Sequence, residues 1–161
     1  MRELPSCGFF LGSLGEISVR GACVGDLELL RSFYESLDSA SVFRRFHGFL
    51  CDFRAHVERL AEASAFVALA EAGGKVVGAG EAVPIGEGTV EVGVVVAREH
   101  RNRGLGTLMA RGMLELCRSH GVRRFVAYTD PDNLPAIRIA RRFGALLSLE
   151  GEMVKIVFEL P

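Results

Sequence analysis

Apolar positions change their rhythm several times along this chain. Between Ala65 and Val83, and again from Thr89 to Ala97, they come in short runs bounded by glycine, as strands do. Gly73-Gly74 splits the first run into a hairpin, and the residues from Pro84 to Gly88 turn the chain into the next strand. From Gly104 to about His120 the spacing becomes helical: Leu105, Leu108, Met109, Gly112, Leu116 and Cys117 share one face, and Gly121 ends the run. Upstream, residues 16–23 have strand character. Asp26 is a candidate N-cap for a helix carrying Leu27, Leu30, Phe33, Tyr34 and Leu37. A second helical region covers roughly 40–63, with Phe43, Phe46, His47 and Leu50 on one face and a further segment starting near Asp52.

Downstream, residues 123–129 read as a strand, 130–144 as a loop and helix, and the remainder as a hairpin around Glu150-Gly151. The order β-α-α-β-β-β-α-β-α-β-β predicts an α/β (α+β) domain with a mixed, mainly antiparallel sheet flanked by helices. Residues 1–15 read as a loosely held arm or an extra edge segment, and 16–161 as a single domain. An exposed last strand could pair with a second subunit, so monomer and homodimer are both expected states.

Composition narrows the function classes. Of 161 residues 49% are apolar, and the formal net charge of −1 argues against a general nucleic-acid binder, whose affinity comes from phosphate neutralisation. Any basic site must therefore be local. No apolar run is long enough to span a bilayer. Cys7, Cys23, Cys51 and Cys117 are scattered, with neither CxxC pairing nor histidine spacing for zinc, so a reduced, cytoplasmic, metal-free protein is expected. Arg44, Arg45, Arg54 and Arg59 read mostly as a solvated helix face, and His47 as a packed histidine.

The chemistry gathers after the strand from Thr89. There Val90, Val92, Val94 and Val96 share one face, and Glu91, Gly93 and Val95 the other. Beyond it, Arg101-Asn102-Arg103-Gly104-Leu105-Gly106 opens a helix: glycines let backbone amides approach a ligand, a helix start favours an anion, and the arginines add charge suited to a pyrophosphate. Neither GxxxxGK[ST] nor GxGxxG is present.

This hexapeptide, between a strand and an amphipathic helix, resembles the R/Q-x-x-G-x-G/A signature of the GCN5-related N-acetyltransferase (GNAT) superfamily. The resemblance runs over roughly 16–160 and includes the segment from Asn133 to Ala145. It implies acetyl-CoA as donor. The amides of Arg101, Asn102, Arg103, Gly104, Leu105, Gly106 and Thr107 would hold the pyrophosphate. Val94, Val95 and Val96 would flank the pantetheine arm, with the backbone of Val94 and Val96 pairing to it like an added strand, and a splay or bulge here would expose an amide to the thioester carbonyl. Asn133 matches the family asparagine near the pantetheine. Many members carry a tyrosine where this chain has Ala140, which leaves the general acid unassigned.

Amine acetylation needs a base. Glu91 is the first candidate, since burial among valines would raise its pKa, and Glu81 the runner-up if the hairpin places it across from Glu91. His100 and His120 read as loop residues. Residues 33–49 resemble the N-terminal helices of bacterial and archaeal protein-lysine acetyltransferases, which implies a protein lysine as acceptor amine. A small-molecule amine acetyltransferase and a non-catalytic acyl-CoA sensor are the alternatives.

Overall fold

The computed structural model describes residues 2–48 and 52–161; Leu50 and Cys51 lie outside the described residues. Eight strands form one mixed sheet: β1 (Phe10–Leu14), β2 (Ile17–Gly21), β3 (Phe66–Ala72), β4 (Lys75–Gly86), β5 (Thr89–Val96), β6 (Arg124–Thr129), β7 (Leu146–Glu150) and β8 (Met153–Glu159). Their spatial order is β1-β2-β3-β4-β5-β6-β8-β7, and β5–β6 is the single parallel pair among them. The helices are α1 (Leu27–Ser36), α2 (Ser39–Phe46), α3 (Phe53–Glu62), α4 (Leu105–Ser119) and α5 (Leu134–Arg142). The alternation along β3 explains the layering. Phe66, Ala68 and Ala70 pack with Met109, Met113 and Leu116 of α4, while Val67 and Leu69 pack with Leu30, Phe33 and Leu60 of α1 and α3. Gly80 and Gly112 make room within the first of these layers: a Cβ on Gly80 would lie 2.4 Å from Met113 Sδ, and one on Gly112 2.9 Å from Leu11 Cβ. Cys117 is buried in that layer, and burial pushes its thiol up to about 12.

The second helical region resolves into α2 and α3, each with an aspartate N-cap. Asp38 Oδ1 accepts from Ser41 N–H at 2.7 Å and Asp52 Oδ1 from Ala55 N–H at 2.9 Å. Asp26 acts differently from a simple cap of α1. A 3₁₀ turn over Val24–Asp26 precedes that helix, and the Asp26 carboxylate accepts from Cys23 N–H and pairs with Arg20 at 2.8 Å. His47 is not a packed histidine. It ends α2 in the left-handed region at φ 57° and is exposed.

Two further expectations are corrected. Cys7 and Cys23 form a disulfide, because the N-terminal segment folds back beside the turn that precedes α1. A separation of 16 residues gave no spacing signal for it. The N-terminal segment is held elsewhere too, by Ser6 Oγ donating to Ala22 C=O and by Gly21 N–H donating to Phe9 C=O. The last strand is not an edge: β8 lies between β6 and β7, which leaves β7 outermost with Leu146 and Leu149 exposed. Among the described residues no helix is long and apolar enough to cross a membrane.

Candidate active site

β5 and β6 are paired over only three positions, Thr89–Glu91 with Arg124–Val126. Beyond them the strands part and open a cavity of about 930 Å³, walled by Val92–Val96, by Ala127–Thr129, and by Ile139 and Ala140 of α5. The expected opening is thus a splay between strands; β5 keeps an unbroken register with β4 from Val90↔Pro84 to Val96↔Gly78. Ala97 N–H bonds Val77 C=O at 2.8 Å across the β4 side, so the alternation of an antiparallel ladder turns the backbone groups of Val92, Val94 and Val96 toward the gap. Val95 stands the other way: its side chain is buried in the layer beneath α1 and α3, and its backbone faces β4.

The loop after β5 reaches the same cavity. Asn102 (φ 61°) and Gly104 (φ 87°) both sit in the left-handed region, and that double reversal sets the start of α4. The first hydrogen bond of α4 runs from Leu108 N–H to Gly104 C=O, so the amides of Leu105, Gly106 and Thr107 have no partner within the helix and stand at the cavity wall. Gly106 lets α5 close on α4, since a Cβ there would lie 3.3 Å from Ile139 Cδ1. Asn133 caps α5 by accepting from Ala136 N–H and donates from Nδ2 to Thr129 Oγ1 at 2.9 Å. Arg103 is exposed. Arg101 is not free to face an anion with its whole fork: Nε donates to Val96 C=O at 2.9 Å and a terminal nitrogen to Ser41 Oγ at 2.8 Å.

The two candidate bases, Glu81 and Glu91, lie on one sheet face, and the structure sets their surroundings apart. The hairpin turns at Glu87-Gly88, so Glu81 pairs with Gly93 and Glu91 with Val83; the expected Glu81–Glu91 register is off by two residues. Glu81 is 2% exposed and fully engaged. It accepts from the Tyr34 hydroxyl, lies 2.9 Å from a terminal nitrogen of Arg45, and receives His56 Nε2 at 2.9 and 3.0 Å on its two oxygens. Burial works to raise its pKa, but the Arg45 charge and the hydrogen bonds from His56 and Tyr34 outweigh it and hold the carboxyl below its ordinary value. Burial also keeps Tyr34 a neutral phenol, well above its usual range. Arg45, read as a solvated residue, instead lies across Gly93, where a Cβ would come within 2.4 Å of its Cζ.

Glu91 is not enclosed by the valines: it is exposed. Its strand pairing with Val126 puts it on the same face as Tyr128, two residues along β6 on the far side of the split. Tyr128 lines the cavity, a placement that sequence reasoning missed because it needs the β5–β6 pairing; burial and then the neighbouring Glu150 raise its hydroxyl pKa, with a smaller contribution from Glu91. Ala140 is buried on the cavity wall and offers no hydroxyl there.

A cavity with free helix-start amides at one end and strand backbone along its side suits an elongated ligand with an anionic end and amide groups. Arg45 Nε and His100 Nδ1, buried on the same wall without hydrogen-bond partners among the described residues, are groups that such a ligand could satisfy.

Comparison with known proteins agrees with this geometry. Residues 27–145 match the model of the acetyltransferase (GNAT) family, a span holding α1 through α5, the split and the loop. The GNAT domain of S. lividans PAT superposes with a TM-score of 0.77 at 26% identity, covering 89% of this chain and 90% of that one. The structure of yncA from Salmonella typhimurium with its cofactor acetyl-CoA gives 0.71 at 20% identity, over 90% of this chain and 94% of that one. Spermidine N-acetyltransferase from Vibrio cholerae, in complex with CoA and spermine, gives 0.70 at 13% identity, over 91% and 96%. The chain belongs to the acetyltransferase (GNAT) family. It is accordingly an acyltransferase, built on the mixed, mostly antiparallel sheet of that fold.

Proposed function

We propose that this chain transfers an acetyl group from acetyl-CoA to a primary amine, with a protein lysine side chain as acceptor and Glu91 as general base. The observation that carries the reading is the parting of β5 from β6 directly beside the unpaired amides of Leu105, Gly106 and Thr107. In this reading acetyl-CoA supplies an activated acyl group. The loop amides from Arg101 to Thr107 hold its pyrophosphate and Arg103 adds positive charge. Val94 offers both backbone groups to the pantetheine arm and Val96 its N–H, with Asn133 bordering the same stretch.

Glu91, at the closed end of the split, takes the proton of the incoming ammonium directly or through one water. The neutral nitrogen then attacks the thioester carbonyl, a backbone N–H of β5 stabilises the oxyanion, the C–N bond forms and the C–S bond breaks. With Ala140 facing the cavity, the second proton, shed by the nitrogen as the amide forms, passes through water to the departing thiolate. Exposure of Glu91 favours a side chain projecting from a protein over a fully engulfed small amine, and so does the likeness of residues 33–49 to protein-lysine acetyltransferases.

The test is thiol release from acetyl-CoA in the presence of a lysine peptide and, separately, a panel of polyamines. Wild type should turn over the peptide, and Glu91→Gln should lower kcat on the order of 10²-fold or more with little change in acetyl-CoA affinity. Turnover of polyamines alone would replace the lysine assignment. Tight acetyl-CoA binding without turnover on any amine would favour the sensor.

A further inference from the structure

The arginine that opens the glycine loop lies exposed at the surface, yet two of its donors are turned back onto the protein. Arg101 Nε donates to Val96 C=O at 2.9 Å, and a terminal nitrogen donates to Ser41 Oγ at 2.8 Å. Both acceptors matter to the cavity. Val96 is the last residue of β5 and its carbonyl is turned toward the gap; Ser41 is 3% exposed, lies in the first turn of α2 and lines the same cavity. Ser41 N–H in turn donates to Asp38, the N-cap of α2, whose other oxygen meets Arg98 at 3.2 Å. One planar guanidinium thus joins the end of the strand to the start of the helix that roofs the split.

We infer that Arg101 is a positioning residue, a brace that fixes α2 against β5 and sets the entrance of the gap, and that its side chain is not a phosphate ligand. The planar fork is what permits this. A lysine ammonium on a flexible stem cannot present two fixed donors to a carbonyl and a hydroxyl at once. The brace also occupies one lone pair of the Val96 carbonyl, so Val94 offers both backbone groups to the gap with less competition. Arg98 adds little to the tie, since both its bonds reach one exposed Asp38 oxygen and are long, at 3.3 and 3.2 Å. The part of the inference that concerns the gap's occupant rests on the acetyl-CoA reading; the brace itself does not.

Amide hydrogen exchange of the ligand-free full chain separates the two. Arg101→Ala and Arg101→Lys should each speed exchange across α2 and the end of β5 about tenfold, and Ser41→Ala should produce a smaller change in the same α2 amides. Wild-type exchange in Arg101→Lys would overturn the brace, because charge alone would then suffice. The second arm compares affinity for CoA with affinity for pantetheine, which has the same arm and no phosphate. A brace predicts that Arg101→Ala weakens both by the same factor. Loss confined to CoA would make Arg101 a phosphate ligand and overturn the inference. If wild type binds neither, the acetyl-CoA reading fails while the exchange result still decides the brace.

Discussion

Glu81 and Glu91 stand on the same face of neighbouring strands, and their surroundings could hardly differ more. Glu81 lies under α1, α2 and α3 with a phenol, a guanidinium and an imidazole on its two oxygens. The rings of Tyr34, Phe46 and Phe53 pack around that group, and Arg45 also sits 4.6 Å above the Phe46 ring. Glu91 is exposed at the closed end of the split. The difference teaches that burial alone does not make a carboxylate a base. A base needs a lone pair free to accept a proton from substrate. To act, Glu81 would have to abandon partners that leave a buried charge behind, whereas Glu91 has no such tie among the described residues.

The largest effect on stability should come from Glu81. Glu81→Ala removes the partner of a guanidinium whose side chain is 12% exposed, and breaking a buried pair costs about 3–5 kcal/mol. For a chain of this size that is a fall in Tm of roughly 10 °C, read by a thermal melt. The sign of the pH dependence follows from the direction of the shift. The folded-state pKa of Glu81 is lowered from 4.5, so its stabilisation is complete above that value and is lost as pH falls through the lower folded value. Glu81→Gln should flatten this acid limb. An unchanged melt together with abolished turnover would reverse the roles assigned to the two carboxylates.

A smaller effect tests the contact between the two regions. A Cβ on Gly93 would meet Arg45 Cζ at 2.4 Å, and the guanidinium is held in place by Glu81. Gly93→Ala should therefore cost about 1–3 kcal/mol, as overpacking does. The cost should shrink in a Glu81→Gln background, where Arg45 can swing away, so the two changes are non-additive. Simple additivity in denaturant melts would mean that Arg45 is not pinned.

The two regions also differ in how far the sequence discloses them. Glycines 104 and 106, the arginines before them and the helical spacing after them are contiguous, and the physics linking them acts within one turn of chain. That local character made the loop, the hairpin at Gly73-Gly74, α4 and the fold class readable. The Glu81 group draws on Tyr34, Arg45 and His56, which come from three helices whose relative placement no local spacing encodes. One signal was present. Glu81 interrupts a run of valine, glycine and alanine, and a charge on a strand buried on both faces must be paired, so the covering helices had to supply its donors. The edge position of β7 and the Cys7–Cys23 bridge were illegible for a related reason, since both depend on chain order in space.

The smallest stability effect sharpens the comparison most. Glu91→Gln replaces an exposed carboxylate by a near-isostere, and exposed substitutions away from packed networks usually change stability by no more than about 0.5 kcal/mol. Its melt and acid limb should therefore superpose on those of wild type while its turnover collapses. The pairing of outcomes is what matters. Glu81→Gln loses stability first and activity only as a consequence of disturbing Arg45 above Gly93, whereas Glu91→Gln loses activity with the fold intact. Should Glu91→Gln melt several degrees low, its carboxylate would be holding structure, and the case for a free base at the closed end of the split would fall.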